Sequence, residues 1–315
     1  MTEKQLLPKL RYDVASVLNP GRRSQQEDAL AADFPHGGEL SFAVLSDGMG
    51  GHAAGEIASK IVVTEVFSEL KFQSSDPRWF EDHVVSILRD AASAANLCVN
   101  AHTRSHPATG GMGATLLAPI VTKRGLWWIS IGDSPLYIFR HGELTQLNED
   151  HSLAPQIDQM ADEGLIERDV AENHPDRNCL TSVLIGDTID KIDCPEEPMK
   201  LLPGDIIIAA SDGLQAISDH DIERIIKRNR DLPSAQLAEE LLHKLLETDD
   251  PNQDNVSFCL IKVREANKRL RTRPVTLAQG PVLSFDADVA QTKDLSDVVA
   301  NTAEPNVLAR GAAKK

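Results

Sequence analysis

Short apolar runs alternate with two long amphipathic segments in the first part of this 315-residue chain. The run at residues 41–46 is apolar and stops at an Asp-Gly pair, which is typical of a buried strand that enters a turn. Apolar residues then recur every fourth position from Ala58 to Leu70, and this spacing predicts a helix. A second amphipathic helix is predicted over residues 79–102. The apolar faces of both helices need a sheet to cover them.

Strand-like segments follow the two helices. They are four closely spaced apolar runs, at residues 114–120, 126–131, 136–140 and 144–147. Short runs separated by turn residues are typical of an antiparallel meander. The regular pattern is completed by a strand at 205–210, a helix around 237–245 and a last strand at 256–263.

Two stretches depart from this pattern. Residues 150–190 are polar and carry helix-like pieces near 157–163 and 167–171, which predicts a flap over the edge of the sheet. Residues 264–315 begin with a basic stretch and then lack a clear period. We therefore expect one domain over 1–263 that includes the flap, and a C-terminal tail that is partly disordered or regulatory.

Composition narrows the classes of function. The formal net charge is -16 and the pI is about 5.0, which disfavours a nucleic-acid binder because phosphate backbones require clustered Lys and Arg. The four cysteines are widely spaced and fit neither a zinc knuckle nor a redox pair. The N-terminal residues lack the apolar stretch of a signal peptide, and no apolar run approaches the roughly 20 residues of a membrane span. We expect a cytoplasmic protein that does not enter a membrane.

Carboxylates beside turn residues recur where the predicted strands end. They are Glu27-Asp28, Asp47-Gly48, Asp133, Asp212-Gly213 and Asp254-Asn255. Each one alone is more typical of a turn. Several strands of one sheet, however, can bring such residues to a common edge, where the negative charges need cations to neutralise them. Oxygen ligands without a His or Cys set favour Mg²⁺ or Mn²⁺.

This pattern is suited to ester hydrolysis. Two such ions about 4 Å apart can bridge one water and lower its pKa, which makes hydroxide available as a nucleophile. A phosphate ester must also be held, and a guanidinium can bond two phosphate oxygens at once. Arg22 and Arg23 stand just before Glu27 and are candidates for that contact.

Six motifs in order carry a resemblance to a known family. They are residues 23–28 (RSQQED), 46–56 (SDGMGGHAAGE), 111–115 (GMGAT), 131–134 (IGDS), 211–213 (SDG) and 254–257 (DNVS). This series resembles that of the PP2C-type (PPM) metal-dependent serine/threonine protein phosphatases, especially the bacterial members, over about residues 12–263. The resemblance implies an α+β fold, namely an αββα sandwich of two antiparallel sheets flanked by helices, with a dinuclear metal centre at one end.

The resemblance also implies roles for individual residues. Asp47 would bridge both metals and the Gly48 carbonyl would bind one of them. Asp212 and Asp254 would hold the other metal, and Glu27 would act through a metal-bound water. The metals would be two Mn²⁺ or Mg²⁺ ions, and turnover would depend directly on Asp47 and Asp212.

Further positions match the family pattern around this set. Arg23 matches the phosphate-binding arginine, which makes it the preferred substrate-binding residue over Arg22. Asp28 and Asn255 would orient the ligands from behind. Asp133, together with Asp212, matches the pair implicated in a weaker third metal.

Two positions depart from the family pattern. Many eukaryotic relatives have a histidine, a candidate general acid, where this chain has Met49. His52 is the nearest alternative, although a histidine in a Gly-rich turn is more often structural. Pro135 stands where the family usually has an arginine after Gly-Asp-Ser.

The main hypothesis is a monomeric phosphatase that acts on phosphoserine and phosphothreonine in proteins and opposes a Ser/Thr kinase. Two alternatives stay open. One is a catalytically silent relative that binds a partner, and the other is a phosphatase of small phosphorylated molecules. The physiological substrate is not encoded in these motifs.

Overall fold

The computed structural model describes residues 10–35, 38–50 and 53–266, and these include eleven strands. The strands are β1 (Leu10–Asn19), β2 (Ala29–Asp33), β3 (Ser41–Ser46), β4 (Gly48–Met49), β5 (Gly113–Ala114), β6 (Leu116–Val121), β7 (Leu126–Ile131), β8 (Leu136–Arg140), β9 (Glu143–Gln146), β10 (Ile206–Ala210) and β11 (Val256–Glu265).

Six α-helices occur in the same part of the chain. They are α1 (Ala53–Gln73), α2 (Pro77–Ser105), α3 (Ala154–Asp162), α4 (Arg168–Glu172), α5 (Asp219–Asn229) and α6 (Ser234–Leu246). The start of α2 illustrates how the sequence sets a boundary. The Asp76 side chain accepts hydrogen bonds from the backbone N–H groups of Arg78 and Trp79, and Pro77 occupies the first turn, where its missing N–H costs nothing.

The strands form two antiparallel sheets and a short ribbon. The five-stranded sheet has the order β1-β11-β10-β8-β9, and the four-stranded sheet has the order β2-β3-β6-β7. The ribbon pairs β4 with β5. Every strand pair is antiparallel, as the short spacing of the apolar runs predicts.

Side-chain alternation along the central strands creates three core layers. In β10, Ile206 and Ile208 pack with α5 and α6, whereas Ile207 and Ala209 pack between the sheets. A continuous apolar strand therefore serves two layers at once, because successive residues point to opposite faces. On the other side, α1 and α2 pack against the four-stranded sheet. The layer order is helix, sheet, sheet, helix, which confirms the predicted αββα sandwich.

One sequence-based assignment is wrong, and some elements were not predicted. The four runs after α2 do not form one meander, because β6 and β7 belong to one sheet whereas β8 and β9 belong to the other. The chain crosses between the sheets at residues 132–135. Three strands or helices, β2, β4 and α5, are absent from the sequence prediction. α5 is mostly charged and buries only Ile222 and Ile226 fully, so its apolar stripe is too narrow to stand out.

The polar segment after β9 is attached to the sandwich by backbone hydrogen bonds near its two ends. The N–H of Leu153 donates to the Cys179 carbonyl, and the N–H of Thr181 donates to the His151 carbonyl. The two predicted helical pieces are present as α3 and α4. Among the helices of the described residues, none has the length and apolar character that a bilayer crossing requires.

Candidate functional site

Strand pairing brings the candidate carboxylates to one end of the sandwich. Asp47 directly follows β3 and Asp28 directly precedes β2, and these two strands pair with Ala29 opposite Ser46. Asp212 follows β10 and Asp254 precedes β11, each with one residue between, and these two strands also pair antiparallel. The prediction that Glu27-Asp28 follows a strand is wrong, because β1 ends at Asn19 and the pair stands before β2. In an antiparallel sheet, the start of one strand and the end of its neighbour lie on the same edge. The candidate carboxylates therefore still converge at one edge, even though Glu27-Asp28 precedes its strand.

Asp47 lies in a turn that only glycine permits. A methyl group on Gly48 would lie 2.1 Å from the carbonyl oxygen of Gly55 and 2.6 Å from that of Glu27. The N–H of Gly48 donates to the same Glu27 carbonyl at 3.1 Å. The turn after β3 is therefore in direct backbone contact with the first residues of α1 and with the loop before β2.

Asn255 fixes the loop that carries Glu27. Its Oδ1 accepts a hydrogen bond from the N–H of Glu27 at 2.7 Å, and its Nδ2 donates to the carbonyls of Pro20 and Gln25 at 2.9 Å each. The side chain is 4% exposed, so these bonds are shielded from water. The expected supporting position of Asn255 is consistent with this geometry.

Asp28 is buried behind the site and connects two other strands. Ser211 Oγ donates to Asp28 Oδ2 at 2.7 Å and accepts from the N–H of Ser257 at 3.0 Å. Burial raises the pKa of Asp28 to about 6, even though the Ser211 hydrogen bond lowers it, and the charges of Asp212 and Asp254 raise it further.

Thr115 supports Asp47 from the neighbouring strand. Its Oγ1 accepts a hydrogen bond from the N–H of Asp47 at 2.9 Å and shares another with Ser134 Oγ at 2.8 Å. Its own N–H donates to the Asp47 carbonyl at 2.8 Å, and Ser46 Oγ donates to its carbonyl at 2.6 Å. Both backbone groups of Asp47 are thus held by one residue.

The carboxylates affect one another electrostatically. Burial, followed by the charges of Asp28, Asp212, Asp133 and Asp254, raises the pKa of Asp47 well above its usual value. Such mutual effects require that the groups share one region of low dielectric.

The pKa values of two further carboxylates show the same influence. Burial and the Asp254 charge raise the pKa of Asp212, while a side-chain hydrogen bond with Asp47 lowers it. Burial, together with the charges of Asp212 and Asp150, raises the pKa of Asp133 to about 7.

The two candidate arginines border this cluster. Arg23 Nη2 lies 2.7 Å from Asp254 Oδ2, and the neighbouring Arg22 pairs with Asp249. Arg23 therefore contacts a predicted metal ligand, whereas Arg22 contacts a carboxylate outside the predicted set. Both side chains are 56% exposed and accessible to a ligand.

The donor chemistry fits hard divalent cations. The side chains that converge are carboxylates, their charges repel, and they concentrate several negative charges at one sheet edge. Among the described residues, no three His, Cys, Asp or Glu side chains are grouped so that they could hold a metal ion without moving. The individual ligand roles of Glu27, Asp47, Gly48, Asp133, Asp212 and Asp254 stay predictions.

Two other predicted positions have different outcomes. His52 lies outside the described residues. Met49 pairs with Gly113 in the β4–β5 ribbon and is 39% exposed, close in the chain to Asp47.

Sequence reasoning missed several residues that support the carboxylates, although it named Asp28 and Asn255 for that role. Thr115, Ser134 and Ser211 lie within the quoted motifs, but no role follows from their spacing. Asp150 acts on Asp133 from the start of the polar segment. Small polar residues beside each Asp are the signal that could have identified the first three.

The chain is similar to bacterial protein phosphatases. The serine/threonine protein phosphatase PstP of Mycobacterium tuberculosis is 32% identical over 221 residues, which is 70% of this chain and 40% of PstP. The chain thus matches less than half of that relative's length. Protein phosphatase PhpP of Streptococcus pneumoniae is 30% identical over 228 residues, which is 70% of this chain and 85% of PhpP.

Solved structures agree with these relatives. The structure of the Mycobacterium tuberculosis serine/threonine phosphatase PstP/Ppp matches with a TM-score of 0.65 and 30% identity, and the match covers 81% of this chain and 99% of that one. A structure of the PstP catalytic domain in complex with two manganese ions matches with a TM-score of 0.62 and 28% identity, over 81% of this chain and 100% of that one.

The model of the family described as "Protein phosphatase 2C" matches residues 21–257. This range contains Arg23 near its start and Asp254 near its end, and so includes every carboxylate of the cluster. The described layers and the matched residues agree with the resemblance that the six motifs carry. The chain belongs to the protein phosphatase 2C family.

Proposed function

We propose that this chain is a metal-dependent phosphatase that hydrolyses phosphoserine and phosphothreonine in proteins. The observation that carries the proposal is the convergence of Asp28, Asp47, Asp212 and Asp254 at one end of the sandwich, where β2 pairs with β3 and β10 pairs with β11. The charges of Asp28, Asp212, Asp133 and Asp254 accordingly raise the pKa of Asp47. Gathering them is unfavourable unless divalent cations compensate the charge.

Each predicted ligand has a role in holding two Mn²⁺ or Mg²⁺ ions. Asp47 would contact both ions, Asp212 and Asp254 would hold one, and the Gly48 carbonyl would contribute to the other. Glu27 would act through a water, and its backbone is fixed by Asn255. When bound, two such ions supply a bridging water of lowered pKa that serves as the nucleophile.

A weaker third ion is proposed near Asp133 and Asp212. The charge of Asp212 raises the pKa of Asp133, so the two carboxylates are close enough to interact. Asp150 adds a third negative charge to the same region.

Arg23 would bind the phosphate of the substrate. Its guanidinium is half-exposed and lies against Asp254, so it can turn two N–H groups toward a phosphate at the rim of the carboxylate cluster. The thioether of Met49 cannot donate a proton, so the alkoxide leaving group would take its proton from another source.

The relatives support this substrate class. PstP bears the name of a serine/threonine protein phosphatase and PhpP that of a protein phosphatase, and one structure of the PstP catalytic domain contains two manganese ions. By analogy we propose that this chain removes phosphate added by a Ser/Thr kinase. We also retain the division into a domain at 1–263 with a flap at 150–190 and a tail at 264–315; residues 264 and 265 still belong to β11, and residues 267–315 lie outside the described residues. A cytoplasmic location and a monomeric state stay predictions from the sequence.

The test is hydrolysis of a phosphothreonine peptide by the full chain. We expect no turnover in EDTA and recovery when Mn²⁺ or Mg²⁺ is added in excess. A small phosphate ester assayed in parallel separates the alternatives. Turnover of the ester alone would favour a phosphatase of small molecules, and no turnover of either with metal present would favour a silent, partner-binding protein.

A further inference from the structure

Two adjacent arginines border a pocket beside the proposed site. Arg22 and Arg23 lie in the loop between β1 and β2, and they pair with Asp249 and Asp254 respectively, both in the loop before β11. A pocket of about 270 Å³ opens there, and its described lining is Arg22, Arg23, Pro251 and Asn252. This lining carries two positive charges, whereas the chain as a whole carries a net charge of -16.

The backbone under the pocket is held firmly. The N–H of Arg22 donates to the Gln253 carbonyl at 2.9 Å. Gly21 has a φ of +58°, and a methyl group there would lie 2.1 Å from the Asp254 carbonyl oxygen. The two loops are thus in contact at a distance that only glycine permits, so Arg22 projects from a fixed position.

The partner of Arg22 is easily exchanged. The Arg22 and Asp249 side chains are 56% and 82% exposed, and ion pairs of this kind are weak because water screens both charges. An anionic group of a ligand can therefore replace Asp249 at little cost. Arg23, by contrast, contacts the carboxylate cluster itself.

We propose that Arg22 forms a second anion subsite, which selects phosphoprotein substrates with an acidic residue next to the phosphorylated one. The proposal rests on the proposed function, in which Arg23 binds the phosphate. Both arginines line the same pocket, so a peptide whose phosphate contacts Arg23 can bring the carboxylate of a neighbouring residue to Arg22. Pro251 and Asn252 supply an apolar wall and an amide beside the two guanidinium groups.

The experiment compares phosphothreonine peptides that differ at one position. Asp or Ala is placed directly before or directly after the phosphothreonine, and the ratio of kcat/KM values, Asp over Ala, is measured. We expect a ratio of about three to five for the wild-type chain at low salt in at least one of the two positions. Added salt should lower that ratio.

Substitutions of Arg22 and of Asp249 should change the Asp-over-Ala ratio of kcat/KM values in opposite directions. Arg22→Gln should bring it to about one, whereas Arg22→Lys should keep part of it because the charge remains without the planar fork. Asp249→Asn removes the internal competitor and should raise the ratio above that of the wild type. Asp249 has a φ of +50°, which asparagine tolerates, so this variant retains the local backbone.

Arg124→Gln is the matched control. Arg124 is also exposed and lies near carboxylates, at 3.8 Å from Asp82. It belongs to the β6–β7 turn, at the opposite end of the four-stranded sheet from Asp47. We expect the wild-type ratio in this variant.

Each ratio is taken within one variant, so a general loss of activity cancels. A wild-type ratio of one in both positions, or the wild-type ratio retained in Arg22→Gln, would overturn the subsite while leaving the proposed phosphatase activity intact. If the wild-type chain hydrolysed neither the peptides nor a small phosphate ester with Mn²⁺ present, the proposed function would fail and the subsite with it.

Discussion

The backbone N–H of Glu27 donates a hydrogen bond of 2.7 Å to Asn255 Oδ1, although 228 residues separate the two. The amide nitrogen of Asn255 also donates to the carbonyls of Pro20 and Gln25. One side chain thereby fixes both ends of the loop that carries Arg23. The position of two proposed functional residues depends on a single asparagine at the start of the last strand.

We expect Asn255→Ala to reduce phosphopeptide turnover about tenfold to a hundredfold, because small displacements of reacting groups are costly. The fold should also lose about 1–3 kcal/mol, since buried backbone groups would lose their partners. Urea unfolding and steady-state kinetics measure the two effects.

Ser234→Ala is a suitable control for this loss of stability. Ser234 is buried, and its Oγ donates at 2.6 Å to Asp13 near the other end of β1. We expect this variant to lose stability and to keep its turnover. Equal turnover losses in the two variants would mean that Asn255 acts only through global stability.

Thr115 allows a second test with a matched pair of substitutions. Thr115→Val keeps the shape of the side chain but removes the acceptor for the N–H of Asp47, so we expect a marked fall in turnover and a loss of about 1–3 kcal/mol. Thr115→Ser keeps the hydroxyl and should retain most of the activity. If both variants behaved alike, the hydroxyl would have no part in positioning Asp47.

The layers of the fold could be predicted because their signals are periodic. Strands such as β10 are apolar on both faces, and α1 repeats its apolar residues every fourth position. The assignment of strands to sheets could not be predicted from the sequence, because β7 and β8 follow each other closely yet belong to different sheets. Short chain separation favours pairing but does not compel it.

The candidate site likewise has a part that the sequence predicts and a part that it does not. Its carboxylates could be identified because each Asp adjoins an apolar strand, and repetition of that arrangement is visible in one sequence. The resemblance names Asp28 and Asn255 as orienting residues, but the particular contacts that they make could not be predicted. The hydrogen bonds of Asn255 with Glu27 and of Ser211 with Asp28 join residues 228 and 183 positions apart, and a single hydrogen bond leaves no periodic trace.

Asp212→Asn should separate activity from stability. We expect turnover to fall about a hundredfold or more, because a proposed metal ligand and its charge are lost. In EDTA, however, the variant should be more stable than the wild type, since it removes one charge that raises the pKa values of Asp28, Asp47 and Asp133. Thermal melting in EDTA checks the second statement, and full activity of the variant would contradict the first.

Arg23→Ala should act mainly on substrate binding. We expect KM for a phosphothreonine peptide to rise about tenfold, with a smaller change in kcat, because the guanidinium would bind the phosphate before and during reaction. Arg23→Lys keeps the charge but not the two parallel N–H donors, and should give an intermediate KM. An unchanged KM in Arg23→Ala would contradict the assigned role.

The carboxylate cluster should make the metal-depleted protein less stable as the pH rises. The pKa values of Asp28 and Asp133 are raised from 3.8 to about 6 and about 7, so the folded chain binds these protons more tightly than the unfolded chain does. Their stabilising contribution is fully present below about pH 4 and is lost as the pH rises through 6 and 7.

We therefore expect the melting temperature in EDTA to fall between pH 4.5 and pH 7.5. Mn²⁺ should reverse the fall near pH 7, because divalent ions bind the ionised carboxylates of the folded state. In Asp133→Asn the decline in EDTA should be shallower near pH 7, since the group that titrates there is gone while Asp28, Asp47 and Asp212 keep their raised pKa values. Carboxylates of lowered pKa, such as Asp13, act below this window and leave the slope unchanged. A melting temperature in EDTA that rose from pH 4.5 to pH 7.5 would contradict the raised pKa values of these buried carboxylates.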